Sequence, residues 1–256
     1  MQLPTALFET GSGTHVGKVR QHNEDRYLVM PDFGLWAVAD GMGGHESGDY
    51  ASQTIVDALS AIGQPSSAAE LLTRTEQQIA AANARLRAVS HKRGDKIIGA
   101  TLAVLLSFDQ HYACVWSGDS RIYVVRDGAI TQLSRDHTEV QELLAKGAIT
   151  EAEARNWPKS NVVTRAIGVF DSPQLELTSG PLRDGDCFVV CSDGLTQHVS
   201  DAEILRCISG NGGSQQACDA LIALTLERGA TDNVTVVVTR YQAKPAAGGG
   251  AADLWE

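Results

Sequence analysis

The chain has 256 residues, 43% of them apolar and 20% charged, with a formal net charge of -10. Such a composition excludes disorder, and the acidic balance excludes a surface built for nucleic acid or anionic lipid, because either partner would be repelled. The apolar stretches stop well short of the ~20 residues that cross a bilayer, and the opening "MQLPTALFETGSG" has no basic region leading into an apolar one, so no membrane partner, no signal peptide and a cytoplasmic location are expected.

Residues 14–39 read as strands, and "YLVMPDFGLWAVAD" as a hairpin turning at Pro31-Asp32-Phe33-Gly34. Helical periodicity follows over 46–62 and 66–90, with Ser66 and Ser67 offering an N-cap and Gly63 a stop. "IIGATLAVLLSF", "HYACVWSG" and "RIYVVRDGAITQL" read as strands, the last folded at Asp127-Gly128, and their spacing predicts a meander of antiparallel neighbours. From Asp136 to about Leu177 the strand signal fades. "TEVQELLAKGAITEAEARNW" suits two short helices about Gly147 and "PKSNVVTRAIG" is irregular, so this stretch reads as an inserted, partly mobile segment. "DCFVVCSDG" resumes the strands, helices fit 201–209 and 214–228, and "DNVTVVVTRY" closes with a strand. The end, "AKPAAGGGAADLWE", reads as a flexible tail. Paired helices beside hairpin-linked strands predict an α+β fold, a four-layer αββα sandwich of two antiparallel β-sheets flanked by helices.

Cys114, Cys187, Cys191, Cys207 and Cys218 sit mostly inside apolar runs without a CxxC pair, which predicts reduced thiols packed as small hydrophobes. The acidic residues carry more information. "LWAVADG" ends at Asp40, "ACVWSGDS" at Asp119 and "CFVVCSDG" at Asp193, while "NVTVVV" starts just after Asp232. If that last strand runs antiparallel to a neighbour, all four carboxylates meet at one rim. Clustered carboxylates raise one another's pKa unless a cation compensates, and an all-oxygen set selects a hard dication such as Mg²⁺ or Mn²⁺. Gly41, lacking a Cβ, then lets its carbonyl approach an ion. Each Asp-Gly is equally a common turn dipeptide, and both readings stand on this pattern. In "VGKVRQHNEDRY", Arg20 is suited to bidentate capture of phosphate oxygens or to pairing with Glu24 or Asp25.

Arg20 with "NED" at 23–25, "VADGMGGH" at 38–45, "GAT" at 99–101, "SGDSRIYV" at 117–124, "LSRDHT" at 133–138, "VTRAIG" at 163–168, "CSDGL" at 191–195 and "TDNVTVVVT" at 231–239 resemble, in order, the motif series of the metal-dependent protein serine/threonine phosphatases. These are the PPM or type 2C family, and the resemblance is to its bacterial branch. It implies a catalytic domain over residues 1–242, a flap over about 138–176, and a tail over 243–256. It implies two Mn²⁺ or Mg²⁺ ions and a third, weaker one. Asp40 would bridge the ions, Asp193 and Asp232 would complete the first, and the Gly41 carbonyl would help hold the second. Asp25 and Glu24 would act through metal-bound waters, Asp119 with Asp193 would take the third ion, Arg20 would hold the phosphate and Asn233 would support the Asp232 loop.

The implied reaction is hydrolysis of phosphoserine and phosphothreonine by a hydroxide generated between the ions. The implied partners are phosphorylated proteins, substrates of a bacterial serine/threonine kinase, met by a monomer. One departure stands out. Met42 occupies the place of the histidine that protonates the leaving group in eukaryotic relatives, which leaves a metal-bound water or His45 as the acid. His15, His22 and His198 are expected at the surface or behind the site, the role of His137 is unassigned, and Arg165 is expected to meet a phosphopeptide or to brace the flap. A silent phosphoprotein-binding relative and a hydrolase of small phosphoesters are the competing readings.

Overall fold

The structure, a computed structural model, describes residues 7–154, 157, 162–210 and 212–243, at 7, 45 and 46 by the backbone alone. Beyond Ala243 the expected tail lies outside the described residues. In chain order the strands are β1 (Leu7–His15), β2 (Asp25–Met30), β3 (Leu35–Met42), β4 (Gly99–Phe108), β5 (His111–Ser117), β6 (Arg121–Arg126), β7 (Ala129–Gln132), β8 (Glu176–Pro181), β9 (Cys187–Cys191) and β10 (Val234–Gln242). The helices are α1 (His45–Ser60), α2 (Ala68–Lys92), α3 (Glu139–Ala145), α4 (Glu151–Ala154), α5 (Asp193–Thr196), α6 (Asp201–Ile208) and α7 (Ser214–Glu227).

The strands form two antiparallel sheets, β1-β10-β9-β6-β7 and β2-β3-β4-β5-β8. Side-chain parity builds the layers. In β3, Leu35, Ala37 and Ala39 face outward onto α1 and α2, while Trp36 and Val38 face the other sheet. In β9, Cys187, Val189 and Cys191 pack towards α6 and α7, while Phe188 and Val190 face inward. Central strands buried on both faces read as continuous apolar runs rather than as alternation, which is why their ends were legible. The expected four-layer αββα sandwich is therefore the observed fold. The described cysteines are all free, and only Cys207 is not fully buried. Among the described residues no helix is long and apolar enough to cross a membrane.

The expected meander breaks into two hairpins. β4 pairs with β5 in one sheet, but β6 pairs with β7 and β9 in the other, so the chain changes sheets at Gly118–Ser120. Asp127 and Gly128 both take positive φ, 51° and 76°, the conformation of a type I′ hairpin turn.

Two edge strands escaped the sequence pattern. In β1 the run "TGSG" looks like loop, yet a Cβ at Gly11 would lie 2.3 Å from the backbone of Gln215. The glycine is there because the start of α7 presses on the strand. In β8 the apolar Leu177 is half exposed, so alternation gives no core face. Ser67 caps α2 by accepting from the Glu70 N–H at 3.1 Å. Ser67→Ala is expected to lower stability by about 1 kcal/mol, read by urea unfolding, without changing activity.

Candidate active site

The acidic residues meet because of strand register. β2 and β3 place Asp25 opposite Asp40, and β3 and β4 place Asp40 opposite Thr101. In the other sheet β10 runs antiparallel to β9, and the Ser192 N–H donates to the Thr235 carbonyl at 3.0 Å. The end of β9, carrying Asp193, therefore lies beside the start of β10, preceded by Asp232. One cleft of about 420 Å³ is lined by Arg20, Glu24, Asp40, Asp119, Asp193 and Asp232, with Gly41 and Asn233 also on its walls. Asp119 and Asp193 are shared with a neighbouring cleft of about 220 Å³.

Burial and mutual repulsion govern the charges. Burial, reinforced by Asp25, Asp193, Asp119 and Asp232, pushes the Asp40 carboxyl well above the usual carboxylate range. Asp25 is pushed up to about 7, chiefly by burial, against hydrogen bonds from Thr235 and Ser192. Asp119 rises to about 8 through burial and the charge of Asp193. Asp193 is raised by burial and Asp232, and is opposed by hydrogen bonds with Gln197 and Asp40.

Several of the predicted residues have an identifiable support. Asp25 Oδ2 accepts from Thr235 Oγ1 at 2.7 Å and from Ser192 Oγ at 2.8 Å. Its Oδ1 is buried without a hydrogen-bond partner. Asp193 Oδ2 accepts from Gln197 at 2.6 Å. Asn233 ties the N-terminal loop to the Asp232 turn: its Oδ1 accepts from the Glu24 N–H, and its Nδ2 donates to the carbonyls of Val16 and His22. Arg20 donates to Asp232 Oδ2 at 2.8 Å rather than to Glu24 or Asp25.

The glycines of "VADGMGGH" are explained sterically. A Cβ at Gly41 would lie 2.2 Å from the Gly48 carbonyl oxygen, so α1 can settle on β3 only over glycine. Gly43 and Gly44 take φ of 120° and 90°, turning the chain from β3 into α1.

An all-oxygen donor set, raised carboxyl pKa values and an orphaned Asp25 Oδ1 fit hard dications. Among the described residues, no three His, Cys, Asp or Glu side chains already stand at ligating spacing. The carboxylates share a cleft, and Asp40 and Asp193 meet through a hydrogen bond.

Sequence reasoning missed Ser192, Thr235, Gln197 and Thr101. The detectable signal was a lone hydroxyl inside an apolar strand beside an aspartate, as in "CSDG" and "DNVTVV". His22 lines the cleft, whereas the His15 ring accepts from the Gly17 N–H and the His198 ring meets Thr231. The side chain of His45 lies outside the described part of the structure. Arg165 pairs with Glu176 at 3.0 Å and lines a separate cleft of about 260 Å³, so in this structure it braces the inserted segment. Part of that segment, residues 155–156 and 158–161, lies outside the described residues. Its return stretch is anchored: Val163 bridges to Thr138, Ile167 bridges to Ala100, and Val163 lines the acidic cleft.

Known proteins resemble this chain in sequence and in fold. The family described as protein phosphatase 2C matches residues 11–234. The serine/threonine protein phosphatase PstP of Mycobacterium tuberculosis is 38% identical over 239 residues, 93% of this chain and 46% of that protein, so the chain spans about half the length of this relative. Among solved structures, PppA of Pseudomonas aeruginosa superposes with a TM-score of 0.85 at 39% identity, covering 91% of this chain and 97% of that one. The catalytic domain of PstP in complex with two manganese ions gives a TM-score of 0.83 at 34% identity, covering 93% and 100%. With the family matching residues 11–234 and similar sequences and folds covering more than nine-tenths of its length, the chain belongs to the protein phosphatase 2C family.

Proposed function

We propose that the chain is a metal-dependent protein phosphatase that hydrolyses phosphoserine and phosphothreonine. The observation that carries this reading is the convergence of Asp40, Asp119, Asp193 and Asp232 with Arg20 at one cleft, with Asp25 buried opposite Asp40, in a chain of this family. Asp40, Asp193 and Asp232 would hold two Mn²⁺ or Mg²⁺ ions with the Gly41 carbonyl, Asp25 and Glu24 would reach them through water, and Asp119 with Asp193 would hold a third. When bound, the ions supply the charge that acidifies a water to hydroxide near neutral pH and neutralises the phosphate it attacks.

The protein's own groups do the rest. Arg20 is about half exposed and uses one donor on Asp232, so its remaining guanidinium donors are available for a phosphate at the cleft mouth. Ser192 and Thr235 fix one oxygen of Asp25 and leave the other buried without a hydrogen-bond partner. Asn233 holds the loops of Glu24 and Asp232 in register. Met42 has no proton to give, so the leaving oxygen takes its proton from another source. The substrates are phosphoproteins made by a bacterial serine/threonine kinase, and the working unit is a cytoplasmic monomer.

A phosphothreonine peptide incubated with and without Mn²⁺ tests the reading, with inorganic phosphate as the readout. Release is expected only with the ion. Arg20→Ala is expected to raise KM about tenfold or more, the cost of a lost charge-assisted contact. Equal release with and without Mn²⁺ would sink the proposal.

A further inference from the structure

His137 is buried in the "RDHT" stretch, outside the acidic cluster, and every polar atom of the residue is engaged. Its Nδ1 accepts from the Gly118 N–H at 3.1 Å, and its own N–H donates to the Gly118 carbonyl at 2.9 Å. An Nδ1 that accepts carries no proton, so the neutral ring bears its hydrogen on Nε2. That Nε2 faces Glu176 Oε1 at 3.2 Å. Arg165 Nη1 lies 3.0 Å from the same carboxylate oxygen and 3.4 Å from Nε2. Both nitrogens are donors, so the carboxylate is what they share. The ring also stacks on Trp116, centroids 6.1 Å apart and planes 15° apart.

From these contacts we infer that His137 is a positioning residue, a strut held as the Nε2–H tautomer that joins the turn carrying Asp119 to the segment that walls the cleft. At one end, Gly118 precedes Asp119 and takes φ of 114°, against Thr101; the ring and backbone of His137 pin that turn from both sides. At the other end, the Thr164 N–H donates to the His137 carbonyl at 2.8 Å, and the Glu139 N–H to the Val162 carbonyl at 3.0 Å. This zips Val162–Arg165 alongside His137–Glu139 and sets Val163 at the acidic cleft. Burial first, then the charges of Arg165 and Arg135, lower the ring's pKa against the pull of Glu176, consistent with a neutral imidazole. The inference rests on the phosphatase reading of the cleft only for its kinetic consequence; the tautomer stands on geometry alone.

Two isosteric substitutions separate the ends of the strut. In His137→Asn the side-chain oxygen reproduces the Nδ1 acceptor but falls short of Glu176. In His137→Gln the amide reaches Glu176 but leaves the Gly118 N–H without its acceptor. His137→Asn is expected to raise KM for a phosphothreonine peptide about tenfold with kcat within about threefold, and His137→Gln to lower kcat at least about tenfold with KM little changed. Glu176→Gln, at a partly exposed site, is expected to follow His137→Asn. With ¹⁵N-labelled histidine, NMR of the wild-type chain at neutral pH is expected to show an unprotonated Nδ1 and a protonated Nε2 for His137. A protonated Nδ1, or two His137 variants that change kcat and KM alike or not at all, overturns the strut. If a His137 variant fails to fold by thermal unfolding, Glu176→Gln and the wild-type spectrum decide. A wild-type chain inert towards the phosphopeptide defeats the functional reading instead, and the spectrum then decides the strut alone.

Discussion

Asp40→Asn is expected to lower kcat for a phosphothreonine peptide by about a thousandfold or more, and to abolish the Mn²⁺ binding seen by calorimetry. Asp40 stands at the centre of the acidic set: its carboxyl feels Asp25, Asp193, Asp119 and Asp232 together, so an ion that neutralises the cluster must sit near it. Asparagine keeps the shape and removes the charge. A loss of activity through misfolding would be accompanied by a lower melting temperature. Here the opposite is expected, because in chelator the substitution removes a buried carboxyl whose ionisation the fold opposes, and the metal-free protein should melt higher than wild type. Asp193→Asn should behave similarly in activity with a smaller gain in melting temperature, since it also weakens the bond from Gln197, which then meets a neutral amide oxygen instead of a carboxylate. A metal-free Asp40→Asn that melts lower than wild type, or one that retains Mn²⁺ binding, would remove the basis for assigning the cleft to dications.

What was legible in the sequence was legible for physical reasons. β3, β9 and β10 are buried on both faces, so their apolar runs stop where the rim begins, and the stop is an aspartate at Asp40 and Asp193 and precedes the strand at Asp232. The register that brings these ends together follows from antiparallel pairing. Other features lacked any local signal. β1 hides because Gly11 yields its side chain to α7, a contact between residues about two hundred positions apart. The sheet change after β5 is decided by Gly118 at positive φ and by the pairing of β6 with β9, neither visible in a period-two pattern. Ser192 and Thr235 look like ordinary strand residues until Asp25, from the other sheet, appears between them. His137 belonged to a recognisable motif, but what it does is set by Gly118 and Glu176, and neither partner is near it in the chain.

The metal-free protein is expected to lose stability as pH rises from about 4 to about 8, the reverse of the usual behaviour of carboxylates. Asp25 has its carboxyl pushed up from 3.8 to about 7 in the folded state, and Asp119 from 3.8 to about 8. Between the unfolded and folded values the native protein binds more protons than the unfolded chain, so the free energy of unfolding must fall with rising pH. Below about pH 4 these groups are protonated in both states and the penalty is absent; above about pH 8 it is fully developed. A shift of three units corresponds to roughly 4 kcal/mol, and the groups share one electrostatic cluster, so their penalties do not simply add. Carboxylates with lowered pKa, such as Glu203 beside Arg228, contribute stability with the opposite sign, but their window lies below that of the cluster. Dications invert the slope. They bind the ionised carboxylates, which are the form that higher pH supplies, so saturating Mn²⁺ should raise the melting temperature at about pH 8 by more than at about pH 5. Urea unfolding at several pH values, in chelator and in Mn²⁺, measures both slopes, and Asp40→Asn should flatten each. Stability in chelator that stays level or climbs between about pH 5 and pH 8 would mean that the acidic rim is hydrated well enough to carry its charge unaided, and the electrostatic case for resident dications would go with it.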